Sequence, residues 1–262
     1  MTDVSAQEAK ACCARTYQQD IVALILGDSY HPGGLALTRR LAQKLDIQPG
    51  QRVLDVASGP GTTAFLLASE FGAQVDGVDL GDRAVAMAGA KARDRGLAEQ
   101  VRFHVGDAEK LPFEDETFDA VVSECAFCTF PDKPTAAAEM ARVLKPGGKV
   151  GITDVALDQN RLAEELRSLA GWVACLADAR PLDEYVAILA AAGLESTYTE
   201  SHDEGLAAMI EQIDARLVAF KIAKLPAIEE IDFDLARRRT ALAAQAVTDG
   251  IAGYKLLVAA RR

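Results

Sequence analysis

The sequence predicts an α/β fold built on a seven-stranded mixed sheet that is mostly parallel. Between residues 51 and 155, short apolar runs alternate with helical stretches of ten to fifteen residues, as in β–α–β crossovers. The first 45 residues carry apolar side chains at helical spacing. Two more strand-like segments come late, separated by helical sequence. We therefore expect an N-terminal helical lid and a helical insertion before the last strands.

The central section supplies five strands and three helices in chain order. The predicted strands are VLDVA, QVDGVDL, VRFHVGDA, FDAVVSECAF and KVGITDVA. The predicted helices are TAFLLASEF, AVAMAGAKARDRG and TAAAEMARVLKPGG. The glycine that closes the second helix suits a C-cap, and Pro146 with Gly147 is expected to stop the third helix.

The final section changes character after Asp158. It is rich in Ala and Leu at helical spacing, with GLESTYTE and GYKLLVAARR as the last two predicted strands. Helical sequence separates these two strands, and we expect them to form an antiparallel addition to one sheet edge. The predicted segments are a helical lid (1–45), a core (46–158), and a helical cap segment with the final strands (159–262).

Composition narrows the class of partner. The chain has 262 residues, 50% hydrophobic and 26% charged, with a net charge of −11. A strongly acidic protein is poorly suited to bind phosphate-rich partners, so we expect neither nucleic acid nor a membrane but a small-molecule substrate. The first 20 residues lack the pattern of a signal peptide, and no apolar run is long enough to span a bilayer. A cytoplasmic protein is the expectation.

A glycine-rich loop follows the first predicted strand. Asp55 ends that strand, and Ala57-Ser58-Gly59-Pro60-Gly61 leads into a helix. Asp79 and the run Gly106-Asp107-Ala108 end the second and third strands. Glycines let a backbone approach a ligand, a carboxylate after the second strand suits ribose hydroxyls, and open α/β sheets bind ligands beyond their carboxyl ends.

These motifs resemble those of the class I, Rossmann-like, S-adenosylmethionine-dependent methyltransferases, as does Leu144-Lys145-Pro146-Gly147-Gly148 before the fifth strand. The alternative is a dinucleotide-binding dehydrogenase, but the third glycine of that fingerprint is absent. The resemblance implies S-adenosyl-L-methionine as cofactor, with Asp79 at the ribose, Asp107 near the adenine amino group and Tyr17 over the methionine end. The implied cofactor-binding residues are Tyr17, Asp55, Ala57, Ser58, Gly59, Pro60, Gly61, Asp79, Leu80, Gly106, Asp107, Ala108 and Glu124.

The five cysteines do not fit a disulfide framework, because their number is odd. Ser123-Glu124-Cys125 and the stretch from Cys175 to Ala179 resemble the cysteine motifs of arsenite methyltransferases, although Glu124 replaces an Asn and the cysteine-rich tail of that family is absent. Thiolates suit trivalent arsenic, whose lone pair attacks a methyl group without a base. The resemblance implies Cys125 and Cys175 as catalytic residues. The candidates for substrate binding are Cys12, Cys13, Cys128 and His31.

Several alternatives stay open from sequence. The cysteines are equally well explained as buried small hydrophobic residues, or more weakly as a zinc site around Cys125 and Cys128; no metal is expected. His31 is the best candidate base, while His104 is expected to be structural and His202 solvated. The run Arg237-Arg238-Arg239 is expected to form a solvated helix face. Besides arsenic, the acceptor hypotheses are a quinone, sterol-like or polyketide molecule; a non-catalytic S-adenosylmethionine-binding regulator is a further possibility.

Overall fold

A computed structural model describes residues 8, 10, 15–17, 19–27, 30–167, 176, 178–223 and 232–262. Its centre is a seven-stranded sheet of order β3-β2-β1-β4-β5-β7-β6, in which only β7 is antiparallel to its neighbours. This confirms the predicted fold class. The strands are β1 (Arg52–Val56), β2 (Gln74–Asp79), β3 (Val101–Val105), β4 (Phe118–Glu124), β5 (Leu144–Leu157), β6 (Leu194–Ser201) and β7 (Ala252–Arg261).

Helices cover both faces of the sheet. Along β1, Val53 packs into the core on one face and Leu54 into the core on the other, as strand alternation requires. Helices α2, α3, α7 and α8 contribute to the first core, and α5 and α6 to the second. The described helices are α1 (Asp20–Leu26), α2 (Gly34–Leu45), α3 (Thr62–Phe71), α4 (Asp82–Asp94), α5 (Lys133–Val143), α6 (Leu182–Ala191), α7 (Asp203–Ala223) and α8 (Phe233–Thr248).

The last two strands extend the sheet as the sequence predicts. β7 pairs with β5 from Lys149↔Ala260 to Leu157↔Ala252, and β6 pairs with the outer side of β7. β6 lies at the edge, and its side chains alternate between buried and exposed, whereas β7 is mostly buried. The helical insertion α7–α8 connects these two strands and therefore returns to the carboxyl edge of β5.

Helix α5 ends earlier than the sequence predicts. We expected Pro146 and Gly147 to stop it, but it ends at Val143 and β5 begins at Leu144. Leu144 already has an extended backbone, with ψ of 140°. The proline ring disfavours helical geometry in the residue before it, so the chain leaves the helix before reaching Pro146.

None of the helices within the described ranges combines the length and apolar character needed to cross a membrane. The predicted division at residues 45 and 158 stays a prediction. Strands from the second and third segments share one sheet.

Candidate active site

The loop after β1 adopts the strained backbone that its sequence suggests. Ala57, Gly59 and Gly61 all have positive φ, at 61°, 49° and 80°. The Ser58 N–H donates to Val78 O at 3.0 Å, which folds the loop over the end of β2. A side chain at Gly61 would come within 2.6 Å of Phe103, so glycine is required there for packing as well as for conformation.

Asp79 holds this loop in place. Its Oδ2 accepts a hydrogen bond from the Gly59 N–H and its Oδ1 accepts one from the Gly81 N–H, both at 2.8 Å. Burial raises the pKa of the Asp79 carboxyl, and these two hydrogen bonds offset only part of that effect. A carboxylate that organises two loops at once is well placed for the ribose role that the family resemblance implies.

Two more carboxyl groups lie buried beside the loop. Glu124 Oε2 accepts hydrogen bonds from Thr63 at 2.6 Å and Thr38 at 2.9 Å, and its Oε1 accepts one from Thr153 at 3.2 Å. Asp55 Oδ2 is buried and has no hydrogen-bond partner in the described part of the chain. Burial, and then the charge of Glu124, raises the pKa of Asp55 well above its ordinary value.

The carboxyl groups face one cavity of about 140 Å³ at the carboxyl edge of the sheet. A ligand that brings positive charge and hydrogen-bond donors fits such a lining, because it relieves the repulsion between buried carboxylates and supplies a partner for Asp55 Oδ2. S-adenosylmethionine offers an ammonium, a sulfonium, ribose hydroxyls and an adenine amino group. The residues present therefore fit this cofactor.

All of the predicted cofactor residues except Gly61 line this cavity. Gly61 instead lies behind it, where it permits the turn into α3. The individual cofactor contacts stay predictions. Wall residues that the sequence analysis did not single out are Lys10, Tyr30, Thr62, Thr63, Val78, Ala126, Thr129, Phe130 and Pro131.

Lys10 is the most consequential of these additions. Its Nζ donates to Asp107 Oδ2 at 2.7 Å and to Glu109 Oε2 at 2.5 Å. Burial by itself lowers the pKa of Lys10, but the hydrogen bonds to Asp107 and Glu109 outweigh it and the pKa is raised. Lys10 lies 97 residues from Asp107 in sequence, so no local pattern could have shown this contact.

His31 lies on the cavity wall beside Glu124. Its Nδ1 is 3.2 Å from Pro32 O, and its Nε2 is 3.3 Å from Thr38 Oγ1, whose proton is donated to Glu124. The Nε2 also lies 3.5 Å from Glu124 Oε2, so the ring is placed where it can orient this carboxylate. A role of His31 as a base stays a prediction.

The structure separates the two cysteines that it describes. Cys125 is half-buried, has φ of 54° and lines the cavity, and its N–H donates to Thr153 O at 2.7 Å. Cys128 is buried in the hydrophobic core, 1% exposed, rather than on the cavity wall where a substrate contact requires it. Cys12, Cys13 and Cys175 lie outside the described residues, so their roles stay predictions.

A second, larger cavity of about 420 Å³ adjoins the first, with Tyr17, Tyr30 and Cys125 lining both. Its walls are almost entirely apolar and come from α1, α7, α8 and the end of β5. Sequence analysis missed it because its walls lie far apart in the chain. The remaining lining residues are Val22, Ile25, Leu26, Pro32, Val155, Glu165, Leu166, Leu176, Leu206, Met209, Ile210, Ile213, Leu217, Ala236, Arg239, Thr240, Ala243, Val247 and Ala252.

Two surface expectations were wrong. Arg239 does not lie on a solvated helix face but lines the apolar cavity. The Nε2 of His202 is buried, 3.7 Å from Glu200 and without a hydrogen-bond partner among the described residues, so this ring is not simply solvated. His104 donates or accepts a hydrogen bond with Asp76 at 2.8 Å and packs edge-on against Phe113, which agrees with a structural role.

Comparison with known proteins decides the family. Residues 54–152 match the family model described as "Methyltransferase domain". The chain is 34% identical over 198 residues to the 2-phytyl-1,4-naphtoquinone methyltransferase of Synechococcus elongatus, covering 74% of this chain and 76% of that relative. The chain belongs to the class I S-adenosylmethionine-dependent methyltransferases. The predicted family is thereby confirmed, with S-adenosylmethionine as its cofactor.

Other methyltransferases of this family are similar over different extents. An arsenite methyltransferase of Halobacterium salinarum is 36% identical over 164 residues, 60% of this chain and 40% of that relative. Haemonchus contortus phosphoethanolamine N-methyltransferase 2, solved with phosphomonomethylethanolamine and S-adenosylhomocysteine, superposes with a TM-score of 0.82 at 25% identity, covering 98% of this chain and 60% of that one. The chain spans between 24% and 61% of the length of four further curated relatives.

Proposed function

We propose that this methyltransferase transfers a methyl group from S-adenosylmethionine to a large, predominantly apolar organic acceptor. The observation that supports this acceptor class is the apolar cavity of about 420 Å³. It shares Tyr17, Tyr30 and Cys125 with the carboxylate-lined cavity that fits the cofactor. The first cavity contains buried carboxyl groups, which suit a cationic methyl donor, whereas the second is lined mainly by aliphatic side chains, which suit an apolar acceptor.

The size and lining of the second cavity favour an organic molecule over arsenite. Arsenite is small and polar, and most of this wall is aliphatic, so arsenite fills little of the space and gains little from it. An apolar molecule that fills the space gains from leaving water, by roughly 25 cal/mol for each Å² of apolar surface buried. Pockets of this size and character are typical of sites for small organic ligands.

The reaction depends more on how the acceptor atom is aligned with the methyl group than on acid–base chemistry. Methyl transfer is an in-line displacement from a sulfonium, so the protein contributes chiefly by aligning the acceptor atom and excluding water. The shared wall at Tyr17, Tyr30 and Cys125 is where an acceptor atom in one cavity would meet a methyl group in the other. An acceptor whose nucleophile is already ionised, such as an acidic phenol, needs no base for this displacement.

The relatives are named for diverse acceptors, including naphtoquinone, phosphoethanolamine and arsenite, so they do not decide the acceptor. The naphtoquinone methyltransferase aligns over 76% of its length, whereas the arsenite methyltransferase aligns over 40% of its length. The arsenic hypothesis stays a prediction. Its remaining support in the described residues is Cys125, the one described thiol on the cavity wall.

Transfer of a labelled methyl group tests the proposal. Purified protein is incubated with methyl-labelled S-adenosylmethionine and either prenylated naphthoquinols and long-chain phenols, or arsenite with glutathione. We expect label in the apolar acceptors, and turnover reduced less than about threefold in Cys125→Ala, since this thiol only lines the wall. Methylation of arsenite that is abolished in Cys125→Ala would overturn the proposal in favour of arsenic. Cofactor binding without turnover on any acceptor would favour a regulator.

A further inference from the structure

Three consecutive arginines on α8 have three different surroundings. Arg237 Nε donates to Asp214 at 2.8 Å, which ties α8 to α7. Arg238 donates to Glu165 Oε1 at 2.5 Å, on the short 3-10 helix Glu164–Leu166. Arg239 points in a third direction, into the apolar cavity. Successive helical residues are turned by about 100°, so a run of like residues presents its members to different neighbours.

Among the described residues, Arg239 is the member of this run without a partner. Its Nε is buried and has no hydrogen-bond partner there, and none of the described carboxylates forms an ion pair with its guanidinium. Glu165 lines the same cavity, but its carboxylate binds Arg238. The neighbouring Thr240 hydroxyl donates to Ala236 O at 2.9 Å. Arg239 therefore supplies unused hydrogen-bond donors and a positive charge to a cavity whose other walls are almost wholly apolar.

An unpaired guanidinium on an apolar wall is costly unless a ligand compensates it. A guanidinium presents parallel N–H groups that match the oxygens of a carboxylate or phosphate, and such charge-assisted bonds are stronger where water is scarce. The complementary ligand group is an anionic oxygen group. Most of the remaining lining is aliphatic, so the rest of the ligand is expected to be apolar.

The position of Arg239 along α8 sets the shape of such a ligand. Val247 lies near the end of α8 that leads into β7, and Val155 and Ala252 line the cavity from the sheet. Arg239 lies eight residues before Val247 on the same helix, which corresponds to roughly 12 Å along the helix axis. A ligand that reaches both Arg239 and the sheet end must be elongated.

We propose that the acceptor is an amphipathic molecule whose anionic oxygen group, a carboxylate or a phosphate, binds Arg239 while its apolar body fills the cavity between α1, α7 and α8. This inference rests on the proposed function and specifies its substrate class. Arg239 is then a specificity-determining residue: it selects acceptors by charge at a point about two helical turns from the end of α8 that joins β7.

Calorimetry with matched ten-carbon probes tests this inference. Decanoate, decyl phosphate and 1-decanol are titrated into protein saturated with S-adenosylhomocysteine, at physiological ionic strength. We expect at least one anionic probe to bind the wild-type protein about tenfold or more tightly than decanol. Comparing decanoate with decyl phosphate shows which anion the site prefers. Arg239→Gln is expected to abolish the preference, whereas Arg237→Gln, which removes an exposed and paired arginine of the same run, is expected to keep it.

The outcomes separate the two proposals. Failure to bind S-adenosylhomocysteine would contradict the proposed function itself. Three results would overturn the amphipathic acceptor in a protein that does bind S-adenosylhomocysteine. They are equal affinity for decanol and the anions, no binding of any probe, and an anion preference that is retained in Arg239→Gln. If thermal melting shows that Arg239→Gln does not fold, Arg239→Met replaces it, because methionine keeps an unbranched apolar stem without the charge. The probe preference of the wild-type protein decides in either case.

Discussion

At the scale of single residues, the candidate active site holds two carboxyl groups, Asp55 and Asp79, whose pKa is raised by burial. Asp55 shows this most clearly, since its Oδ2 has no partner among the described residues and its pKa is raised first by burial and then by Glu124 and Asp79. Glu124 lies beside them and accepts hydrogen bonds from three threonine hydroxyls. These carboxyl groups therefore lower the stability of the ligand-free protein and raise its affinity for a cationic ligand.

Asp55→Asn tests whether this carboxyl lowers stability and raises ligand affinity. A carboxyl whose folded-state pKa is raised stabilises the folded protein fully below its ordinary pKa of 3.8, and this contribution is lost as the pH rises through the raised value. Removing the ionisable group should raise the stability of the ligand-free protein at pH 7.5 by about 1 kcal/mol, or roughly 2–4 °C in Tm. The same change should weaken S-adenosylhomocysteine binding by on the order of tenfold to hundredfold.

A carboxyl with the opposite shift serves as control. Burial alone raises the pKa of Asp119, but hydrogen bonds from Lys145 and from the Arg52 N–H outweigh it and the pKa is lowered. Its contribution is present above the ordinary pKa and lost as the pH falls, so Asp119→Asn should lower Tm at pH 7.5 and leave cofactor affinity unchanged. A lower Tm in Asp55→Asn, with unaltered affinity for S-adenosylhomocysteine, would contradict the proposed effect of Asp55 on stability and affinity.

At the scale of elements, the sequence predicts the site best where functional residues directly follow successive parallel strands. The carboxyl ends of parallel strands meet along one edge, so Asp55, Asp79 and Asp107 could be placed together from their positions after successive strands. The same reasoning predicts the glycine loop. The antiparallel addition of β6 and β7 at one sheet edge was also predicted and is confirmed by their pairing.

Features made by distant elements could not be predicted in this way. The apolar cavity needs α1, α7 and α8 to surround one space, and helical periodicity shows only that each has an apolar face. The arginine run is an example. Arg237 and Arg238 are adjacent and identical in type, yet they bind partners on different elements, which the sequence of α8 does not reveal. Cys128 lies only three residues from Cys125, yet tertiary packing puts one in the core and the other on the wall.

The loop between β1 and α3 gives a prediction at this scale. Gly61→Ala combines a disfavoured positive φ with a contact of 2.6 Å to Phe103 and 3.0 Å to Phe65. We expect a loss of about 1 kcal/mol for the backbone and ~1–3 kcal/mol for the overpacking, together with weaker binding of S-adenosylhomocysteine. Chemical denaturation and calorimetry measure the two effects.

Gly96→Ala is the matched control for that loop. Gly96 has φ of 69° and a side chain there meets nothing within 4 Å, so it carries the backbone cost alone. Equal losses of stability in the two variants, with equal cofactor affinity, would show that the packing of Gly61 against Phe103 does not support the loop.

At the scale of the whole molecule, two kinds of architecture meet at Tyr17, Tyr30 and Cys125. The sheet edge and its loops form the carboxylate-lined cavity, whereas helices from both ends of the chain form the apolar one. Arg216 joins these ends by donating from α7 to Ile25 O of α1 at 2.6 Å. Because separate elements form the two cavities, binding of the acceptor should be changeable without changing binding of the cofactor.

Ala243→Phe examines this independence. Ala243 lines the apolar cavity from α8, and a phenyl ring there occupies space that the proposed acceptor needs. We expect KM for an apolar acceptor to rise by on the order of tenfold, since the lost space costs apolar contact, while the Kd for S-adenosylhomocysteine stays within about twofold. Ala241→Phe, on the exposed side of the same helix, carries the same change in helix propensity and should alter neither value. An equal loss of cofactor affinity in Ala243→Phe would mean that the cavities act as one site, and an unchanged KM would mean that the acceptor lies elsewhere.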